Sequence, residues 1–184
     1  YNIVTINKVR ERFAPAPRPK LWAEASDLEW NSWIWQQQKR IKSMEQLEKV
    51  VQVDEEERQA FAKSHDMFNM GITPYYAELI DPDHPHCPVR MQVIPTGAEA
   101  LVSDGEYVDP LGEDARSPVP AIVHRYPDRV LLLALDRCAI YCRHCNRRRM
   151  VGQDDGVITR AALEQAIEYI RRTPSIRDVL ISGG

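Results

Sequence analysis

The apolar run from Val130 to Leu135 constrains the fold most, because it leads directly into a cluster of cysteines. A run of this length, bounded by charged residues, favours a strand that is buried on both faces, as in a parallel sheet. Three of the chain's four cysteines, Cys138, Cys142 and Cys145, follow within eight positions. Functional groups in α/β folds gather at the carboxyl ends of such strands. The pattern therefore predicts an α/β fold with a site on this loop.

Three thiolates on one loop are placed to hold a soft metal centre. A structural zinc site takes four protein ligands, whereas a four-iron cluster held by three cysteines keeps one iron open. Spacing alone leaves three alternatives: a cluster, a Cys3His zinc module with His144 as fourth ligand, or unconnected thiols. A secreted disulfide framework would not crowd its cysteines in this way, so we expect a reducing compartment and a cytoplasmic protein.

The chain divides into residues 1–80, 81–124 and 125–184. Alternating prolines in residues 1–20 predict an extended arm. Short helices should follow, because four helix-start patterns occur before residue 80. These patterns are Ser26 with Glu29, whose helix carries apolar positions as far as Ile41, Ser43 with Gln46, Asp54 with Glu57, whose helix should reach Gly71, and Thr73 with Pro74. We expect the tryptophans to pack in the core or at a subunit contact.

The segment 81–124 is rich in proline and glycine, which predicts an irregular connection without helices. Because connections of this length are usually functional or packed over a neighbouring domain, we expect one of these roles for it. Arg90 and Arg116 should be exposed cations, and Cys87 an inert thiol. Residues 125–184 then carry a helix opened by Thr159 and a second apolar strand at 178–182. Two strands cannot close a barrel, so we expect a truncated sequence.

Composition argues against several partners. The net charge is -3, which favours neither nucleic acid nor an anionic membrane. The basic stretch from Arg137 to Arg149 resembles a nucleic-acid patch of the zinc-knuckle kind, but the chain as a whole is acidic. We expect its guanidinium groups to bind carboxylates or phosphates instead. No apolar run reaches the roughly 20 residues of a membrane span, and the polar N-terminus does not resemble a signal peptide.

The Cys-x3-Cys-x2-Cys spacing with His144 resembles the cluster loop of radical S-adenosylmethionine enzymes. Flanking motifs narrow the resemblance to the lysine 2,3-aminomutase family, over most of the chain. The family implies the first β/α units of a partial TIM-like barrel after an N-terminal helical region. The motifs that carry the resemblance are residues 124–130, 147–149 and 182–184, with Pro74-Tyr75-Tyr76, residues 87–90, residues 92–95 and Asp109-Pro110-Leu111 upstream.

That resemblance implies an isomerase with three cofactors: a [4Fe-4S] cluster, S-adenosylmethionine and pyridoxal 5'-phosphate. A 5'-deoxyadenosyl radical would take a hydrogen from the β-carbon of an amino acid. The amino group, held as an imine, would then migrate from the α- to the β-carbon. L-lysine is the first expected substrate, with glutamate, arginine or another radical reaction as alternatives. The family also implies an external electron donor and a homo-oligomer.

Individual roles follow from the same resemblance. Asn146 and Met150 depart from the commonest pattern, which has threonine and phenylalanine there, and this leaves the substrate open. The lysine that carries pyridoxal phosphate cannot be assigned within these residues. The implied roles are cluster ligation by Cys138, Cys142 and Cys145, substrate carboxylate binding by Arg147, S-adenosylmethionine contacts by His144, Ser182, Gly183 and Gly184, pyridoxal phosphate contacts by Arg125 and Tyr126, and a structural ion pair at Arg129.

Overall fold

The computed structural model describes residues 18–64, 69–101, 103–151 and 158–183, in which short helices precede a three-stranded sheet. Short 3₁₀ turns lie at Lys20–Trp22, Gly97–Ala100 and Asp114–Arg116. The α-helices are α1 Asp27–Trp30, α2 Trp33–Gln38, α3 Met44–Leu47, α4 Glu55–Ser64, α5 Pro74–Glu78, α6 Pro88–Val93 and α7 Arg160–Arg172, and the strands are β1 Ile122–Tyr126, β2 Arg129–Leu135 and β3 Asp178–Gly183.

The predicted helix starts are confirmed. Ser26 forms a capping box with Glu29 at α1, and the Ser43 hydroxyl caps α3. The helix expected from Ser26 to Ile41 is two helices, because the Ser32 side chain caps α2 and the chain turns before it. The predicted arm lies largely outside the described residues. The helix expected to run to Gly71 is described as α4 to Ser64, and it does not reach Gly71, because residues 69–71 are not helical.

The helical part has its own hydrophobic core. Ile41, Leu47 and Ile72 are almost fully buried in it. The backbones of Ile41 and Ile72 exchange two hydrogen bonds, of 2.8 and 3.1 Å. Trp22 is buried there, whereas 75% of the Trp33 surface is exposed, so the expectation of core packing holds for some tryptophans only.

Residues 81–124 are less irregular than predicted. Pro88 opens α6 from its first position, where the missing N–H would have no helical partner, so this proline starts a helix and does not interrupt one. Arg90 was expected to be exposed and is instead 5% exposed. It donates to both carboxylate oxygens of Glu57, which compensates for burial of the charge. Arg116 is exposed, as predicted.

The sheet has the order β1-β2-β3, with β1 antiparallel and β3 parallel to β2. The connection from β2 to β3 runs through α7, which confirms the predicted strand–loop–helix–strand unit. Thr159 caps α7 by accepting a hydrogen bond from the Ala162 N–H. Ala166 of α7 packs with Ile122, Val130 and Leu132 in a second core. Mixed helix and sheet of this kind agrees with the predicted α/β class.

β3 is not the buried strand that the sequence predicts. Leu180 is 66% exposed and Ile181 is 70% exposed. β3 lies at the edge of the sheet and pairs with β2 alone. The buried residues that pack with Ala166 of α7 belong to β1 and β2. None of the described helices is long and apolar enough to cross a membrane.

Candidate metal centre

The cysteine loop leaves the carboxyl end of β2 and is tied to the helical part of the molecule. It packs against that part through residues far away in sequence, so its shape depends on the tertiary fold. Several hydrogen bonds hold it. The Arg40 guanidinium donates to the Cys138 carbonyl at 3.0 Å, the Tyr141 N–H to the Gly71 carbonyl at 2.8 Å, and the Arg143 N–H to the Gln92 carbonyl at 2.8 Å.

The three loop thiols are free and half-buried. The pKa of Cys138 is raised to about 11, chiefly by burial and then by the neighbouring Cys145 and Cys142 sulfurs, against an opposing effect of Arg40. Burial and the nearby Cys145 also raise the pKa of Cys142. The Arg147 N–H donates to Cys145 Sγ at 3.3 Å. The sulfurs thus lie near enough to interact electrostatically, and burial favours the neutral form of Cys138 and Cys142.

The donor set fits an iron–sulfur cluster. Among the described residues, no three His, Cys, Asp or Glu side chains converge closely enough to hold one metal ion. A cluster does not need such convergence, because each cysteine binds a different iron. Thiolates are the usual ligands of these clusters, and a backbone N–H to a ligand sulfur is one of the contacts that tune them.

Arginines on and beside the loop pair with carboxylates, as the sequence analysis expected. Arg143 is buried and donates to both oxygens of Glu99, with its shortest contact at 2.6 Å. Arg149 lies 2.9 Å from an oxygen of Asp114 and 3.1 Å from one of Asp109. These pairs join the loop to the segment before β1.

Arg147 forms a two-pronged ion pair with Glu113. Its Nε donates to one Glu113 oxygen at 3.0 Å and its Nη2 to the other at 2.7 Å. The hydrogen bonds with Glu113 raise the pKa of Arg147. The sequence predicted neither Glu99 as the partner of Arg143 nor Glu113 as the partner of Arg147. Glu99 carried one local sequence signal, the capping box that it forms with Thr96, whereas Glu113 carried none.

Two cavities flank the cysteine loop. The first, of about 380 Å³, has His144, Cys145 and Arg148 in its wall, and we call it the His144 cavity. The second, of about 210 Å³, we call the Arg147 cavity; Arg147 and Asp136 are its two charged residues. Its remaining wall is apolar, formed by Pro120, Ala121, Leu133, Leu135, Met150, Val151, Ile158 and Ala162.

The Arg147 cavity carries two unusual features. Ala121 has a φ of 65°, a left-handed conformation that costs a non-glycine residue about 1–2 kcal/mol. Asp136 Oδ1 is buried without a hydrogen-bond partner in the part of the chain that the structure describes. Strained backbone and unsatisfied polar atoms are concentrated at functional sites, which favours this cavity as a binding site.

Comparison with known proteins agrees with the sequence resemblance. The L-lysine 2,3-aminomutase of Fusobacterium nucleatum is 49% identical over 167 residues, which are 91% of this chain. The chain is a relative of the L-lysine 2,3-aminomutases. The enzyme of Bacillus subtilis is 46% identical over 90% of the chain, and the glutamate 2,3-aminomutase of Clostridioides difficile is 39% identical over 85%. These 2,3-aminomutases are isomerases. No family model matches the chain.

The match covers only part of each relative. It spans 39% of the Fusobacterium enzyme, 35% of the Bacillus enzyme and 37% of the Clostridioides enzyme. The chain therefore represents well under half of the length of the aminomutases that it resembles.

The aminomutase resemblance assigns pyridoxal phosphate contacts to Arg125 and Tyr126, which the structure places away from the cysteines. Both lie on β1 at its hairpin with β2, where Tyr126 pairs with Arg129. The cysteine loop follows the other end of β2, about 20 Å along the strand. The Arg125 guanidinium donates to the Leu111 carbonyl at 3.4 Å, and both side chains are exposed. Arg129 pairs with Asp128, as predicted.

The predicted S-adenosylmethionine contacts are only partly described. His144 is exposed and borders the His144 cavity. Ser182 and Gly183 end β3 beside the end of β2, and Gly184 lies outside the described residues. A Cβ on Gly183 would lie 2.6 Å from the Leu135 carbonyl oxygen. The close approach of β2 and β3 therefore requires glycine at this position, independently of any contact with S-adenosylmethionine.

Cys87, predicted to be inert, is 6% exposed in the helical part. Burial alone would raise its pKa, but the N–H groups of Arg90, Asp81 and Val89 outweigh burial and lower it. Because Cys87 is buried and is not one of the three loop cysteines, it provides a natural control for experiments on them.

Proposed function

We propose that the whole protein is a radical S-adenosylmethionine aminomutase that moves the amino group of an L-α-amino acid from the α- to the β-carbon. L-lysine is the substrate that we propose first. One observation carries the proposal: the Cys-x3-Cys-x2-Cys loop lies at the carboxyl end of β2 in a chain that is 46–49% identical to proteins named L-lysine 2,3-aminomutase. We further propose that β2, α7 and β3 begin a radical S-adenosylmethionine barrel.

The cysteines would hold the cofactor that starts the reaction. In this proposal Cys138, Cys142 and Cys145 bind a [4Fe-4S] cluster, and His144 contacts the adenine of S-adenosylmethionine from the His144 cavity. Ser182, Gly183 and Gly184 would contact the methionine part of the same cofactor. Bound together with pyridoxal phosphate, these groups supply radical chemistry that side chains cannot perform, and the protein contributes position and charge.

Arg147 would bind the substrate carboxylate. Its guanidinium borders a cavity whose other wall residues, Asp136 apart, are apolar, and a planar guanidinium can bind a carboxylate through two parallel hydrogen bonds. The apolar walls would exclude water and strengthen that ion pair. Arg125 and Tyr126 supply a cation and an aromatic ring, which suit a phosphate and a pyridine ring, and we keep them as proposed pyridoxal phosphate contacts.

Glutamate is the second candidate substrate. A glutamate 2,3-aminomutase is 39% identical to this chain, and Met150 in the wall of the Arg147 cavity departs from the commonest family residue. The external electron donor, the homo-oligomer and the cytoplasmic location remain proposals that follow from the same assignment.

The decisive test is anaerobic reconstitution of the full-length protein with iron and sulfide. We expect the wild type to take up one four-iron cluster whose electron paramagnetic resonance signal changes when S-adenosylmethionine is added. Replacing any one of Cys138, Cys142 and Cys145 with alanine should abolish both results. The Cys87→Ala variant should retain both, because that thiol is buried elsewhere.

Amino acid conversion is then measured on the reconstituted protein. Formation of β-lysine from L-lysine would support the first candidate, and conversion of glutamate or arginine alone would replace the substrate without changing the reaction. Stoichiometric zinc without iron uptake, or a cluster whose signal ignores S-adenosylmethionine, would overturn the proposed function.

A further inference from the structure

Glu113 is one of the few buried charged residues of the described chain. Its side chain is only 7% exposed, and it directly precedes the Asp114–Arg116 turn in the segment before β1. A buried carboxylate needs compensating hydrogen bonds, and Glu113 obtains two of them from Arg147. A second guanidinium, that of Arg149, lies 3.9 Å from the same carboxylate.

The geometry of this pair leaves part of Arg147 available for another partner. A guanidinium has five N–H groups in a rigid plane, and Glu113 accepts from one on Nε and one on Nη2. The edge formed by Nη1 and the second hydrogen of Nη2 is not used by Glu113. Arg147 is 25% exposed on its side chain and borders the Arg147 cavity, whereas Glu113 is absent from that wall.

Two contacts to one carboxylate determine the plane of the guanidinium as well as its position. A flexible arginine beside an apolar cavity could point in many directions, and a ligand would lose binding free energy in ordering that side chain. The pair with Glu113 orders Arg147 before any ligand arrives.

We propose that Glu113 is a positioning residue for substrate recognition: it holds Arg147 so that the outer edge of the guanidinium receives the α-carboxylate of the amino acid. This inference rests on the proposed function, in which Arg147 binds the substrate carboxylate. Glu113 acts through Arg147 and does not touch the substrate.

The test compares Glu113→Gln with wild type in the full-length, fully reconstituted enzyme. Glutamine keeps the shape of the side chain but can accept from only one of the two guanidinium nitrogens. We expect the KM for the amino acid to rise about tenfold or more while kcat changes little, since the loss of a charge-assisted contact weakens binding. Equilibrium dialysis with labelled amino acid should show the same loss of affinity without turnover.

Two further readouts separate positioning from a general structural effect. Wild type should bind the amino acid much more tightly than its carboxamide, and Glu113→Gln should lose most of that preference, because only the carboxylate uses the oriented edge. In an Arg147→Lys background, Glu113→Gln should have little additional effect on KM, since the two residues act as one unit.

Glu57→Gln is the matched control. Glu57 accepts from Nε and Nη2 of the buried Arg90 in the same two-pronged manner, but it lies in the helical part and borders neither cavity of the loop. This variant should lower the thermal midpoint and leave the KM and the carboxylate preference unchanged.

The possible outcomes separate the positioning role of Glu113 from the proposed function on which that role rests. If wild type converts amino acids and Glu113→Gln keeps the wild-type KM and carboxylate preference, the positioning role is wrong and the proposed function stands. If Glu113→Gln and Glu57→Gln change thermal stability and KM alike, Glu113 is purely structural and the inference is again overturned. If wild type converts no amino acid, the proposed function fails and the role of Glu113 fails with it.

Discussion

Gly71 and Tyr141 meet at the contact between the helical part and the cysteine loop. The Gly71 carbonyl accepts a hydrogen bond from the Tyr141 N–H, and the tyrosine ring lies directly over the glycine. A Cβ at position 71 would lie 2.9 Å from Cδ2 of Tyr141, closer than such atoms normally approach. The absence of a side chain at Gly71 thus lets the loop carrying Cys138 and Cys142 pack against the helices.

Gly71→Ala should therefore destabilise the protein. Overpacking of this kind costs about 1–3 kcal/mol, and a stiffer unfolded chain returns only about 0.4–1 kcal/mol. Chemical denaturation monitored by tryptophan fluorescence would measure the change in the free energy of unfolding. Gly97→Ala is the control, because the nearest atom to its new Cβ would be a flexible Glu56 oxygen at 3.4 Å. Equal unfolding free energies for Gly71→Ala and wild type would show that Tyr141 moves aside at a cost no larger than the gain from the stiffer unfolded chain.

The helix α7 connects β2 to β3 and covers the β1–β2 part of the sheet. Its N-terminus is capped by the Thr159 hydroxyl, which accepts from the Ala162 N–H at 3.1 Å. Glu168 near the other end pairs with Arg171 and Arg172, and all three side chains are more than one third exposed, so those ion pairs contribute little. Among these contacts of α7, we expect the cap to contribute most to stability.

Thr159→Ala tests this expectation. Loss of the capping hydrogen bond should reduce the free energy of unfolding by about 1 kcal/mol. Thr159→Ser keeps the hydroxyl and should retain most of the stability, and denaturant titration compares the three proteins. A Thr159→Ser protein as unstable as Thr159→Ala would assign the effect to the lost methyl group and not to the cap.

On the scale of the whole molecule, two cores are joined through the cysteine loop. One core is helical, and the other lies between α7 and the sheet. The loop adds a smaller cluster in which Tyr141 and Val151 pack against Cys138 and Cys145. Because hydrogen bonds from both the helical part and the connecting segment end on this loop, its shape requires that both cores be formed.

The exposed apolar side chains of β3 give the 184-residue chain a surface suited to association. Leu180 and Ile181 point to opposite faces of the edge strand, and both are largely exposed. Unprotected apolar edge strands pair with other chains. We expect the chain to self-associate as its concentration rises, and Ile181→Lys should largely suppress this in sedimentation velocity measurements.

Leu28→Lys provides the comparison, since Leu28 is 87% exposed on α1, away from the sheet. This variant should associate as the wild type does. Equal suppression by both substitutions would show that exposed apolar side chains in general, and not the edge of β3, drive the association.

Local patterns predicted the local structure well. Polar caps placed the starts of α1, α3 and α7, and the apolar run placed β2, because these signals depend on neighbours a few residues away. The division of one expected helix into α1 and α2 at Ser32 also had a local cause, namely a second cap. The helix α6 carries no such signal, because proline inside a segment usually indicates a break, whereas Pro88 occupies a first helical position that accepts it.

The sequence alone determined which residues are candidate metal ligands and their spacing, because three cysteines in eight positions stay close along the chain in any fold. Tertiary structure decided the rest of the site. It selected Glu113 as the partner of Arg147 across 34 residues, buried Arg90 against Glu57 and left β3 exposed at the sheet edge. Such pairings depend on which segments meet in space, and a single sequence carries no local signal of that.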